Sequence, residues 1–132
     1  DLDSGDWGAV RYPLDPKGEG WIGISEIAVH GDNAYIIERD NLIGDKAQVK
    51  KIYRVALADL KPAKLGGDLP LVAKTEVRDL IPELKALTHG YVLDKVEGLT
   101  FDAGGDAWVV TDNDGVDDSS GETLFWNLGK LD

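Results

Sequence analysis

The chain has 132 residues, 42% of them hydrophobic and four of them tryptophan, with a formal net charge of -11; it is long enough to bury one modest core and too apolar for a disordered polyanion. That excess of carboxylates repels nucleic-acid phosphates and anionic membranes, and no basic stripe offsets it, so neither is an expected partner. With no cysteine, disulfides, zinc thiolates and thiol nucleophiles are excluded, and no apolar run approaches the roughly 20 residues of a membrane-spanning helix, so membrane insertion is not expected.

In chain order, residues 8–14 are the first candidate for an extended segment, one that would pair back onto later strands. From 25 to 30 the residues alternate: Ser25, Ile27 and Val29 share one face, Glu26, Ala28 and His30 the other, which predicts a strand. Gly31-Asp32-Asn33 supplies a tight turn, and Tyr35-Ile36-Ile37, apolar on both faces, predicts a central strand held between neighbouring sheets. A third strand follows at 52–57, then a surface loop over 61–68 with Pro62 and Gly66-Gly67. Residues 70–77 read as an outer fourth strand, and residues 79–87 as a short helix with Asp79 as its cap and Pro82 weakening it.

From Val96 the pattern repeats. Val96 stands 72 residues after Ile24, and Ala107 73 after Ala34, so one residue is gained in the turn at Ala103-Gly104-Gly105-Asp106. Residues 123–128 stand 71 after 52–57. Each copy reads strand, turn, strand, loop, strand, the signature of a β-propeller blade or a related radial array. The expected fold is therefore all-β, with at most one short helix: two antiparallel blades of a propeller-like array over about 21–77 and 92–129. Propeller rings need about four or more blades, so the chain is expected to be a fragment of a larger propeller. Missing blades or self-association would then cover its open sides; a compact sandwich completed by residues 8–14 is the alternative. Tyr35 and Trp108, equivalent in the repeat, are both expected to be buried between sheets.

Chemistry in this chain falls to carboxylates. Gly23-Ile24-Ser25-Glu26-Ile27 holds only the first half of a nucleophile elbow, so Ser25 is expected to pair with a neighbouring strand end rather than to attack a substrate. His30 and His89 are isolated and read as surface turn residues. The loop from Asp112 is different: Asp112, Asp114, Asp117 and Asp118 fall within seven residues, with Asn113 between the first two and Ser119 next in the chain. Carboxylates this crowded are costly unless solvated or sharing a cation, and hard oxygen donors at this density suit Ca²⁺. The expected metal residues are these four with Glu97, which opens the first strand of the same blade. Glu26, Glu38 and Asp40 form a weaker counterpart in the first copy, where Glu38 and Arg39 are expected to form a structural ion pair.

Trp21-Ile22-Gly23-Ile24-Ser25-Glu26-Ile27-Ala28, Glu38-Arg39-Asp40-Asn41, Lys51-Ile52-Tyr53-Arg54-Val55, Val96-Glu97-Gly98-Leu99 and Thr111-Asp112-Asn113-Asp114-Gly115 resemble the C-terminal part of the phytase-like, or "esterase-like activity of phytase", bacterial propeller domain. The likeness runs over about residues 10–128 and so makes the whole of 1–132 a partial domain of that kind. It implies a β-propeller exported to the periplasm or cell exterior, with phosphoester or carboxylester hydrolase activity. Two readings follow. In one, Ca²⁺ at the rim draws in a small phosphorylated or ester substrate, which lets an acidic protein hold an anion. In the other, the blades are a non-catalytic scaffold or partner-binding module of the cell envelope.

Overall fold

The computed structural model describes residues 1–16, 18–113 and 122–131. Its elements, in order, are β1 (Gly8–Ala9), β2 (Ile22–His30), β3 (Asn33–Asp40), β4 (Lys50–Ala56), β5 (Ala63–Lys64), β6 (Thr75–Asp79), α1 (Ile81–Leu87), β7 (Val96–Phe101), β8 (Ala107–Thr111) and β9 (Phe125–Gly129). The fold is mostly β, as expected, and the two repeats are two antiparallel sheets, one ordered β2-β3-β4-β6 and the other β7-β8-β9. No described helix is long and apolar enough to cross a membrane.

The repeat extends to an irregularity. The ladder between β2 and β3 slips between Ile24 and Glu26, and that between β7 and β8 slips between Val96 and Gly98. Ser25 and Glu97, 72 residues apart, are thus the extra residues of two matching bulges, and such bulges re-aim side chains. Both of these side chains reach the other sheet: Ser25 Oγ donates to the Val96 carbonyl at 2.7 Å, and Glu97 accepts from Arg39. The hairpin turns follow their sequences too. Gly31 takes φ +56° in the two-residue turn, a region costly for residues with a Cβ. The wider turn is held by Asp102, whose carboxylate accepts from the Gly104 and Asp106 amides at 2.8 and 3.0 Å and from the Trp108 indole at 3.1 Å.

The fourth strand forms, but over Thr75–Asp79, later in the chain than residues 70–77 suggest. Arg11 bridges Leu71 in parallel, with its amide donating to the Pro70 carbonyl and its carbonyl accepting from Val72. The ladder to β4 therefore starts only at Thr75. Residues 8–14 add no strand to either sheet: Gly8 and Ala9 pair with Lys64 and Ala63 as a separate two-stranded ribbon. The helix forms, but from Ile81 with Leu80 rather than Asp79 at its N-cap position; Asp79, the last residue of β6, accepts from the Ile81 amide at 3.0 Å, and Pro82 lies in the first turn, where an amide proton is dispensable.

The two sheets pack face to face and come closest at β2 and β7. Tyr35, Ile37 and Ile52 of the first sheet meet Val96, Leu99, Val109, Trp126 and Leu128 of the second, and Leu80 and Leu84 from the α1 region join the same core. On its other side the first sheet covers Ile36, Val55 and Val72 with Val10, Tyr12 and Leu60. Tyr35 is 4% exposed, as expected of a residue between sheets. Trp108 is not: it is only partly covered and stacks on Phe125, ring centroids 5.1 Å apart. The cause is alternation, since Ala107 and Val109 face the first sheet while Trp108 points away, where no described sheet lies.

Candidate functional site

Burial of charge marks one end of the first sheet. Glu38, Arg39 and Asp40 close β3, Lys50 opens β4, and all four are buried, Lys50 and Glu38 at 0% exposure. Placing an ion there is costly unless it is paired and hydrogen-bonded, and each finds partners. Because side chains alternate, Glu38 and Arg39 leave the strand on opposite faces and do not pair with each other, contrary to the expected ion pair.

Arg39 faces the second sheet. Its Nη1 donates to Asp94 Oδ1 at 2.8 Å, its Nη2 donates to Glu97, and its guanidinium lies 5.1 Å from the Trp21 ring centroid. Beside it, Lys50 Nζ donates to Asp40 Oδ1 at 2.8 Å and to the Asp40 carbonyl at 2.7 Å, with Asp94 Oδ1 at 3.6 Å. The other Asp40 oxygen accepts from the Gln48 and Val49 amides at 2.7 and 2.8 Å. Burial alone would push the Asp40 carboxyl up, but the Lys50 and backbone hydrogen bonds outweigh it and hold the carboxyl below its ordinary value. For Lys50 burial wins: it pulls the ammonium down, and Asp40 and Asp94 only partly oppose it.

Glu38 faces the other way. Lys74 Nζ bridges Glu38 Oε2 at 2.7 Å and Asp15 Oδ1 at 2.8 Å, and stands 3.8 Å over the Tyr53 ring. Tyr53 donates its hydroxyl to Asp15 at 2.6 Å, and Lys51 reaches Glu76 at 2.8 Å and Asp15 at 3.4 Å. For Asp15, too, burial raises the carboxyl, but the Lys74 and Tyr53 hydrogen bonds prevail and lower it. The Tyr12 hydroxyl is buried without a hydrogen-bond partner among the described residues, and burial, then the nearby Glu38 charge, raises its phenol far above the usual range.

These shifts make the stability of the fold depend on acid pH. Asp15 and Asp40 hold protons less readily folded than unfolded, so what they add to stability is complete above their ordinary value of 3.8 and is lost as pH falls through their lower folded values. Thermal melts followed by circular dichroism should show the melting temperature falling steeply below that value. Asp40→Asn should flatten this dependence, and an equally steep fall in that variant would refute the assignment.

The other residues named from sequence are placed as follows. Ser25 is spent on the Val96 carbonyl, as expected for a structural hydroxyl. Glu26 accepts from the Ile27 amide. His30 stacks on Phe101 with centroids 4.5 Å apart, and His89 sits past α1 with φ +57°. Asp112 is exposed, and its amide donates to the Lys95 carbonyl at 2.8 Å. Since Val96 pairs with Thr111, Asp112 and Glu97 emerge at the same end of the second sheet. Asp114, Asp117 and Asp118 lie outside the described residues. Among the described residues no group of three or more histidine or acidic side chains is arranged to hold a metal ion.

The residues missed from sequence are Asp15, Lys50, Lys74 and Asp94. A signal existed for Lys50: it shares parity with Ile52, a core residue, so alternation already put it on the buried face. For Asp15 and Asp94 no local signal exists, because their partners are 59 and 55 residues away.

What the described arrangement does chemically is hold fixed, mutually neutralised charges at one rim, directly beside the strand ends from which Asp112 departs. A family model described as Phytase-like, "Esterase-like activity of phytase", matches residues 1–115. Neither the curated proteins nor the solved structures contain a significant match.

Proposed function

Because the chain belongs to the phytase-like ("esterase-like activity of phytase") family, we propose that it is part of a secreted or periplasmic hydrolase of phosphoesters or carboxylesters whose acidic loop takes up Ca²⁺. The observation that supports this reading is the pairing of Val96 with Thr111, which brings the start of the strand carrying Glu97 and the strand end leading to Asp112 to the same end of the second sheet. Asp112, Asp114, Asp117 and Asp118 are the loop's ligands, and Glu97 is the ligand from outside it. Like charges this close repel by about 1 kcal/mol per pair at a surface, and a divalent ion turns that repulsion into attraction. Ca²⁺ suits an irregular oxygen loop better than Mg²⁺, which demands a small octahedron and keeps its waters. The bound ion supplies a positive charge for a phosphate or an ester carbonyl.

A second reading is favoured by one contact. Glu97 already accepts from Arg39, so the rim carboxylates serve as structural counter-ions and the blades act as a scaffold at the cell envelope. The two readings separate in a titration. Ligand that binds only the folded state raises its stability, so millimolar Ca²⁺ should raise the melting temperature relative to chelator, and Asp112→Asn combined with Asp114→Asn should abolish the rise. Hydrolysis of p-nitrophenyl phosphate and p-nitrophenyl acetate should fall in chelator. Equal melting temperatures in Ca²⁺ and chelator would leave the scaffold reading standing.

A further inference from the structure

Two stretches of the chain belong to neither of the packed sheets and pair with each other instead. Gly8 and Ala9 pair with Lys64 and Ala63, the Arg11 amide donates to the Pro70 carbonyl and the Val72 amide to the Arg11 carbonyl, and Arg11 Nε donates to the Leu69 carbonyl at 3.1 Å. Residues 8–15 and 60–74 therefore form one strap. It lies on the outward side of the first sheet, where Val10, Tyr12, Leu60 and Val72 pack on Ile36 and Val55. That apolar contact is small beside the core between the sheets.

One end of the strap is pinned by charge. Lys74 Nζ donates to Asp15 Oδ1 at 2.8 Å and to Glu38 Oε2 at 2.7 Å, and stands 3.8 and 5.1 Å from the ring centroids of Tyr53 and Tyr12. Glu38 and Tyr53 belong to the sheet, Asp15 and Tyr12 to the first stretch of the strap and Lys74 to the second, so three pieces of chain meet at one ammonium. The Asp15 amide also donates to Glu38, and the Tyr53 hydroxyl to Asp15 at 2.6 Å. Two carboxylates and two aromatic faces around one point suit an ammonium, since they offer charged acceptors to its N–H groups and π faces to the rest of its charge.

We propose that the strap opens and closes as a unit over the outward side of the first sheet with Lys74 as its latch, and that Glu38, Asp15, Tyr53 and Tyr12 form a primary-ammonium site which Lys74 fills from within the chain. Segments held by few buried apolar contacts open at lower cost than the fold as a whole, and the latch supplies what the small apolar contact lacks. Without Lys74 the fully buried Glu38 carboxylate needs another counter-ion. Lys51 does not replace it, being 3.4 Å from Asp15 and engaged by Glu76 at 2.8 Å. A free primary amine therefore fits the site once the lysine is removed. Opened, the strap uncovers Ile36 and Val55 beside Ile27, the partner of Ile36 on β2, which is already exposed. The latch thus sets how much apolar surface this side presents.

Native-state hydrogen exchange of the full chain, read amide by amide, is the test. A two-stranded piece lifted off its sheet is not stable alone, so the Arg11, Asp15 and Val72 amides exchange when the strap opens. In wild type they should exchange at least about tenfold faster than the central amides of β8. Lys74→Ala should speed them by about tenfold or more again, as expected for the loss of two charge-assisted hydrogen bonds, and leave β8 unchanged. Millimolar n-propylammonium, which restores the carbons and the ammonium removed, should slow them, whereas tetramethylammonium, which has no N–H to donate, should not. Lys74→Met, which keeps most of the side chain without its charge, should open the strap in the same way and guards against one variant failing to fold. Wild-type strap amides that exchange no faster than those of β8 would overturn the proposal, as would a Lys74→Ala effect spread equally over β8 or one that n-propylammonium leaves unchanged.

Discussion

Replacing Asp40 by alanine is expected to destabilise the fold by about 3–5 kcal/mol, because it leaves the Lys50 ammonium buried without its main partner. Lys50 is fully buried, and the Asp40 carboxylate at 2.8 Å is its nearest counter-charge; the Asp40 main-chain carbonyl at 2.7 Å survives the substitution but carries no charge, and Asp94 is 3.6 Å away and already engaged by Arg39. The Asp40 carboxylate also holds the Gln48 and Val49 amides, so the loop before β4 loses its anchor in the same step. Urea unfolding should show the midpoint falling at unchanged slope. Adding Lys50→Met should restore much of the loss, since removing both partners removes the uncompensated charge. A single-variant cost below about 1 kcal/mol would mean that Lys50 is already neutral in the fold. The loss should also depend on pH in a definite direction. A buried base whose folded value is lowered binds fewer protons folded than unfolded, so the variant should regain stability as pH rises toward 10.5, the ordinary lysine value.

Trp126→Ala is the second large effect, again about 3–5 kcal/mol as for buried aromatic residues elsewhere. Trp126 sits in the core between the sheets, and its indole donates to Glu83 of α1 at 3.1 Å. Glu83 in turn accepts from Arg78 at 3.1 Å, and Arg78 donates to the Leu128 carbonyl at 3.3 Å. The last strand, the helix and the fourth strand are thus tied at one point, and the truncation opens a cavity at that junction. Trp108→Ala should cost much less, about 1–2 kcal/mol, since its ring is only partly covered and loses mainly the Phe125 stack and the Asp102 hydrogen bond. Urea midpoints for the two variants in the same buffer would check the order. Equal losses would mean that Trp108 is buried in solution, as it would be where another sheet covers its face.

The contrast between these two tryptophans shows where reading residues stops. Alternation along 25–30, the glycine-bearing turns at Gly31 and Gly105, and the staggered repeat are local features, and each has a local physical cause: side chains of a strand alternate, and only certain residues accept the turn geometry. That was enough to place six of the strands and the helix near their true positions, and to assign Ser25 a structural hydrogen bond. It was not enough for β6, because Arg11 captures Leu71 and Val72 from 60 residues away.

By itself, then, the sequence determined the strand and turn order, the equivalence of the two sheets and the acidic character of the loop after β8, since all three depend on neighbours in the chain. The tertiary structure alone decided that Lys74 and Asp15 meet Glu38 while Asp94 and Glu97 meet Arg39, and that Trp108 faces outward while Tyr35 is covered. Those outcomes depend on which sheet lies against which face, and a strand's alternation divides its side chains between two faces without saying what covers either.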